Sequence, residues 1–137
     1  MSDARSAYQG TSTLGAVSTA LVRLHKEQFG RGPTQARTEY AGRDALLCVL
    51  EHALLPAERA MVDVGEDQRV REQRVFMQAA TAHLFIDAVE EITRRKVRAF
   101  SSAVDPAAEV VFEVYAFEPE DRSADGDGRK PIDLPGT

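Results

Sequence analysis

Leu14, Val17, Leu21 and Leu24 recur at spacings of three and four residues, and Phe29 continues the series, marking one face of an amphipathic helix. Ser12 or Thr13 is placed to cap its start. Gly30 suits the left-handed residue that ends a helix and Pro33 blocks resumption, so the helix is expected to stop near Phe29. From Thr34 to Tyr40 the residues Ala36, Thr38 and Tyr40 alternate with Gln35, Arg37 and Glu39, the period of a half-buried strand with one wet face. A short turn over Ala41, Gly42, Arg43 and Asp44 leads into Ala45 to Leu50, an almost continuous apolar run. Such a run fits a strand more buried than its neighbour, and the short connection makes the two an antiparallel hairpin.

Pro56 fits the first turn of a second helix, which Gly65 interrupts. From Asp67 to about Thr93, Val70, Met77, Ala80, Leu84, Ala88 and Ile92 keep helical spacing, and Phe76, Phe85 and Val89 widen the stripe. At 1.5 Å per residue this helix runs roughly 40 Å, long enough in so small a domain to overhang and invite a partner. Val97 to Val104 and Glu109 to Phe117 flank Asp105 to Ala108 as a second hairpin. The order α-ββ-α-ββ predicts a single α+β domain: a four-stranded, mostly antiparallel sheet with the long helix and the N-terminal helix packed on it. Residues 1–12 read as a flexible arm, 13–117 as the domain, and 118–137 as a disordered acidic tail rich in Pro and Gly.

Composition narrows the function classes. Hydrophobic residues at 43% and charged residues at 28% suit a globular chain of 137 residues with one core. A net charge of -5 argues against a dedicated nucleic-acid binder, which would draw its affinity from clustered Lys and Arg. The absence of a long uncharged apolar window, and a beginning with neither basic nor apolar signal regions, lead to the expectation of a cytoplasmic protein without a transmembrane segment. Arg far outnumbers Lys, as in GC-rich bacterial genes.

Candidate chemistry is sparse. Gly30-Arg31-Gly32 has the look of a phosphate loop, but a helix precedes it and a strand follows, so the helix dipole opposes an anion there and a cap-and-turn role is expected. Cys48 lies inside an apolar run and reads as a small buried hydrophobe. His25, His52 and His83 fall on different elements without zinc-site spacing; His83 and Asp87 share a helix face without a local nucleophile. Glu66-Asp67 and Glu90-Glu91 are neighbours whose side chains diverge on a helix. Arg94-Arg95-Lys96 with Arg98 complements the end of the long helix, with an acidic partner or an anionic membrane surface as the alternative. No catalytic constellation, metal site or cofactor is expected.

The ordered string Phe29-Gly30-Arg31-Gly32-Pro33-Thr34, Leu50, Pro56-Ala57-Glu58, Arg69-Val70, Arg74 and Lys96-Val97 resembles the MpsC-like family, over about Leu14 to Phe117. The resemblance implies a small cytoplasmic component of a bacterial system that generates membrane potential through cation or inorganic-carbon transport. It also singles out Gly30, Arg31, Gly32, Pro33, Arg37, Glu58 and Arg74 as family-motif positions that could contact an anion or a partner. Arg37 lies on the polar face of its strand, whereas Arg74, near the apolar stripe, could pair with Glu39 or Glu58. Leu55 replaces the usual capping Thr, Arg94 stands where the family tends to have Gly, and Ser101-Ser102-Ala103 departs from a more polar trio. The expected role is a non-enzymatic accessory subunit, a homodimer or other homo-oligomer, at a membrane transport complex. The alternative is a small-ligand or anion sensor in which Arg31, Arg37 and Arg74 converge; an enzyme built around His83 and Asp87 is the weakest reading.

Overall fold

A computed structural model describes residues 12–120 and 132–136. The elements follow as α1 (Ser12–Phe29), β1 (Gln35–Tyr40), β2 (Ala45–Glu51), α2 (Pro56–Asp63), α3 (Asp67–Thr93), β3 (Val97–Asp105) and β4 (Val110–Phe117). The arm expected over residues 1–12 lies outside the described residues except for Ser12, which opens α1. Most of the expected tail, 121–131 and 137, also lies outside them.

Backbone chemistry sets the boundaries. Gly30 at φ 84° donates to the Lys26 carbonyl at 2.9 Å and ends α1. Gly32 serves differently, because a Cβ there would crowd the Val22 carbonyl oxygen at 3.1 Å and the Lys26 Cβ at 3.3 Å, so its absence lets the loop lie close against the helix. Pro56 starts α2 after the extended Leu55. The α3 helix ends on Arg94 in the left-handed conformation, its N–H donating to the Glu90 carbonyl at 2.8 Å.

The strands form one antiparallel sheet in the order β1-β2-β4-β3. Both hairpins are therefore joined through the central pair β2 and β4. Helices α1 and α3 cover one face, on which Leu46, Cys48, Leu50, Val111, Tyr115 and Phe117 meet Val17, Leu21, Phe85 and Val89. Fully burying each large apolar side chain in this layer contributes about 1.5–3 kcal/mol. An irregularity between Val97 and Ala99 resets β3, so that Val97, Phe100 and Val104 all contribute to the core. The opposite face carries Leu47, Val49, Phe112 and Val114 and is covered by no element among the described residues.

On α3 the buried positions are Val70, Arg74, Thr81, Phe85 and Val89. The apolar stripe predicts this face only partly, since Ala80 is exposed and Phe76 is 74% exposed. Two polar residues take core-facing places because each is satisfied locally: Thr81 bonds back to the Met77 carbonyl at 2.9 Å, and Arg74 has a carboxylate partner.

Candidate functional site

A cleft of about 250 Å³ opens between α1, α3 and the β3–β4 hairpin. Its apolar walls come from Phe29, Val75, Phe85, Phe100, Val104 and Val111. Buried in it is a three-residue polar chain: Glu113 accepts from His25 Nε2 at 2.9 Å through one oxygen and from the Tyr115 hydroxyl at 2.8 Å through the other. His25 and Glu113 are 3% and 2% exposed. The helix α1 points His25 inward one turn beyond Leu21, and the two-residue period of β4 puts Glu113 between Val111 and Tyr115 on the helix-facing side.

Aromatic rings hold this chain in place. His25 lies 5.3 Å from the Phe29 ring and 5.1 Å, edge-on, from Phe85, while Phe100 stacks on Tyr115 at 4.7 Å. Burial and the Glu113 carboxylate push the Tyr115 hydroxyl well above its ordinary range, so it remains a neutral donor. Behind it, burial raises the Cys48 thiol to about 11, with Thr38 partly opposing the shift and Glu113 adding to it. Cys48 is thus a protonated core side chain. With both Glu113 oxygens engaged and Nε2 of His25 committed, the chain is a pre-satisfied polar floor rather than a nucleophile activated by a free base.

The cleft mouth has a different character. Arg74 donates from Nε and Nη2 to the two Glu58 oxygens at 2.8 and 2.7 Å and from Nη2 to the Ala53 carbonyl at 2.7 Å, with its guanidinium 4.9 Å from the centre of the Phe29 ring. Glu58 also accepts from the Leu55 N–H at 2.8 Å, half of a capping box whose other half Leu55 cannot supply. Arg71, one turn earlier and exposed, lines the same mouth and makes no ion pair among the described residues.

Several singled-out residues are spread apart. Gly30, Arg31, Gly32 and Pro33 form the turn after α1, with Arg31 exposed and Pro33 buried. Arg37 is exposed on the outer sheet face beside Val49, whereas Thr38 is buried on the helix side and bonds to Ser18 at 2.7 Å. Arg37 and Arg74 therefore occupy opposite sides of the sheet. Glu58 and Arg74 come together, the pairing with Glu58 and not Glu39 being realised. His52 and His83 are exposed and far in sequence from His25, and no group of three or more His, Cys, Asp or Glu suited to a metal ion occurs among the described residues. Sequence reasoning weighed His25 only as a zinc ligand and passed over Glu113; the signal was an acidic residue in phase with Val111, Tyr115 and Phe117 on β4.

A family model described as Na+-translocating membrane potential-generating system (MpsC) matches residues 12–119, which take in every helix and strand among the described residues. The chain belongs to the MpsC family. No curated protein and no solved structure matches it. Among the motif positions of this MpsC chain, Glu58 and Arg74 fasten α2 to α3, and the glycines shape the turn that sets β1 against α1. Arg94, which ends α3, adopts a glycine-like φ of 60°. Of the divergent trio, Ser102 lines the cleft. No helix among the described residues is long and apolar enough to cross a membrane.

Proposed function

We propose that this chain is a non-catalytic accessory or regulatory component of a bacterial Na+-translocating membrane potential-generating system, working from the cytoplasmic side and binding the membrane-embedded part peripherally. The observation that carries this reading is the extent of the family match, residues 12–119, against a fold with no helix among the described residues able to cross the bilayer. Ion passage then falls to other components, and the chain acts on them by contact. Cells lacking the chain should lose much of the Na+-dependent part of their membrane potential, read with a voltage-sensitive dye, and regain it on complementation. An unchanged potential overturns the reading.

A second reading is favoured by the cleft itself: a sensor for a small amphipathic organic anion. Arg74 is neutralised by Glu58, whereas Arg71 leaves positive charge at the mouth above the Phe29 and Phe85 walls. A cavity of about 250 Å³ exceeds the 150 Å³ or so that admits benzene, so a single-ring aromatic acid is a fitting size. Phenylacetate at saturating concentration should raise the melting temperature of the chain and lose that effect in Arg71→Ala. No stabilisation by phenylacetate or by longer-chain acids removes this second reading.

A further inference from the structure

The uncovered sheet face has a repeating pattern. One row across the four strands, set by the pairing register, reads Arg37, Val49, Phe112, Ala103; the next, two residues along each strand, reads Glu39, Leu47, Val114, Ser101. Each row is charged on β1, apolar on the two central strands and small on β3. Between them runs the row Thr38, Cys48, Glu113 and Ser102, whose side chains turn to the helix side. Antiparallel sheets with one solvated face ordinarily alternate apolar with polar residues, yet here the outer face carries Leu47 and Val49 on β2 and Phe112 and Val114 on β4, with Glu51 at the end of β2. Phe112 and Val114 remain 39% and 41% exposed.

We propose that this face is the interface with a second copy of the chain, related by a twofold axis that crosses the strands at the level of Thr38, Cys48, Glu113 and Ser102. Rotation about that axis lays each row on the other. Arg37 of one copy then opposes Glu39 of its partner, Val49 opposes Leu47, and Phe112 opposes Val114. The two charged positions are what select a second copy over an unrelated apolar partner, because neither makes an ion pair among the described residues and this axis sets each opposite its complement. Packed sheets rotate by about 30°, which displaces the edge strands by only a few ångströms, within the reach of Arg and Glu side chains. The alternative twofold, parallel to the strands, would set charged β1 over Ala103 and Ser101 of β3 and leave both charges unmatched.

Four strands about 4.8 Å apart and about seven residues long give a footprint of roughly 450 Å² per copy, the size of a weak, transient interface. The test is sedimentation equilibrium of the full chain from about 1 to 200 µM. The mass should approach twice the 15.0 kDa of one chain at the upper end. Arg37→Glu, which sets like charges opposite each other in both symmetry-related pairs, should raise the dissociation constant roughly tenfold, and the swap Arg37→Glu with Glu39→Arg should restore it. Val114→Asp, at an exposed position, should leave a folded monomer by circular dichroism. A wild-type chain that stays monomeric at the highest concentration overturns the proposal, as does a dimer indifferent to Val114→Asp. Loss of dimer in the single charge variant without recovery in the swap overturns the axis and with it the proposed pairing.

Discussion

Replacing Arg74 with Met keeps the apolar stem and removes a guanidinium that makes three bonds of 2.7 to 2.8 Å to Glu58 and the Ala53 carbonyl. Glu58 would keep its bond from the Leu55 N–H, but its side chain, 4% exposed, would hold a charge with no counter-ion. Removing one partner of a buried pair costs about 3–5 kcal/mol, because desolvation of the survivor is no longer offset. Loss of the contact with Phe29 adds about 0.5–1 kcal/mol. At about 4 °C per kcal/mol for a domain near this size, the combined loss of about 3.5–6 kcal/mol means that Arg74→Met should lower the melting temperature by roughly 14–24 °C. Glu58→Gln should cost less, about 2–3 kcal/mol, since the amide oxygen can still accept one bond. The double variant, which contains neither charge, should fall short of the sum of the singles by about 2 kcal/mol or more. Urea unfolding followed by circular dichroism measures all three. Singles that each cost under about 1 kcal/mol and add without coupling would refute the premise that this pair is shielded from water.

Three further outcomes follow from other parts of the fold. Cys48 has its folded pKa raised from 9.0 to about 11, so the stability its neutral form contributes is full below pH 9 and is lost as pH rises toward 11. That loss amounts to about 2–3 kcal/mol; Cys48→Ala should flatten the fall in thermal stability over this window, and an equally steep fall in the variant would assign it elsewhere. Tyr115→Phe leaves one Glu113 oxygen without its donor in a buried site and should cost about 1–3 kcal/mol by chemical denaturation. Arg94→Gly relieves a non-glycine residue held at φ 60° and should raise stability by about 0.5–1 kcal/mol, seen as a higher midpoint with unchanged slope in urea.

Much of the architecture was legible because its signals are local. Gly30, Pro56, Gly65 and the two alternating pairs of strands punctuate the chain at the points where the elements begin and end. The partner of Arg74 was also within reach, as one of two carboxylates weighed. The inward face of α3 was less legible: hydrophobicity places Phe76 on the stripe and leaves Arg74 and Thr81 ambiguous, although tertiary pairing and a back-bond make those polar residues the buried ones. His25 and Glu113 stand 88 positions apart, and nothing in the periodicity of either element announces the other. The register between the hairpins, which creates both the cleft floor and the two rows of the outer face, is likewise fixed by packing of β2 on β4 and not by any turn.

The strand order has a bearing on how the chain is made. Because β4 is the last element in sequence among the described residues and a central one in the sheet, β2 has no neighbour on that side, and Leu46, Cys48 and Leu50 have no completed floor, until Phe117 has left the ribosome. The helices can form as they emerge, but the tertiary structure must close in one late step, after about eleven-twelfths of this fold is already synthesised. Until then the apolar open edge of β2, on the side away from β1, is available to other nascent chains. Stalled fragments ending before Val110 are thus the forms of this protein most in need of a chaperone.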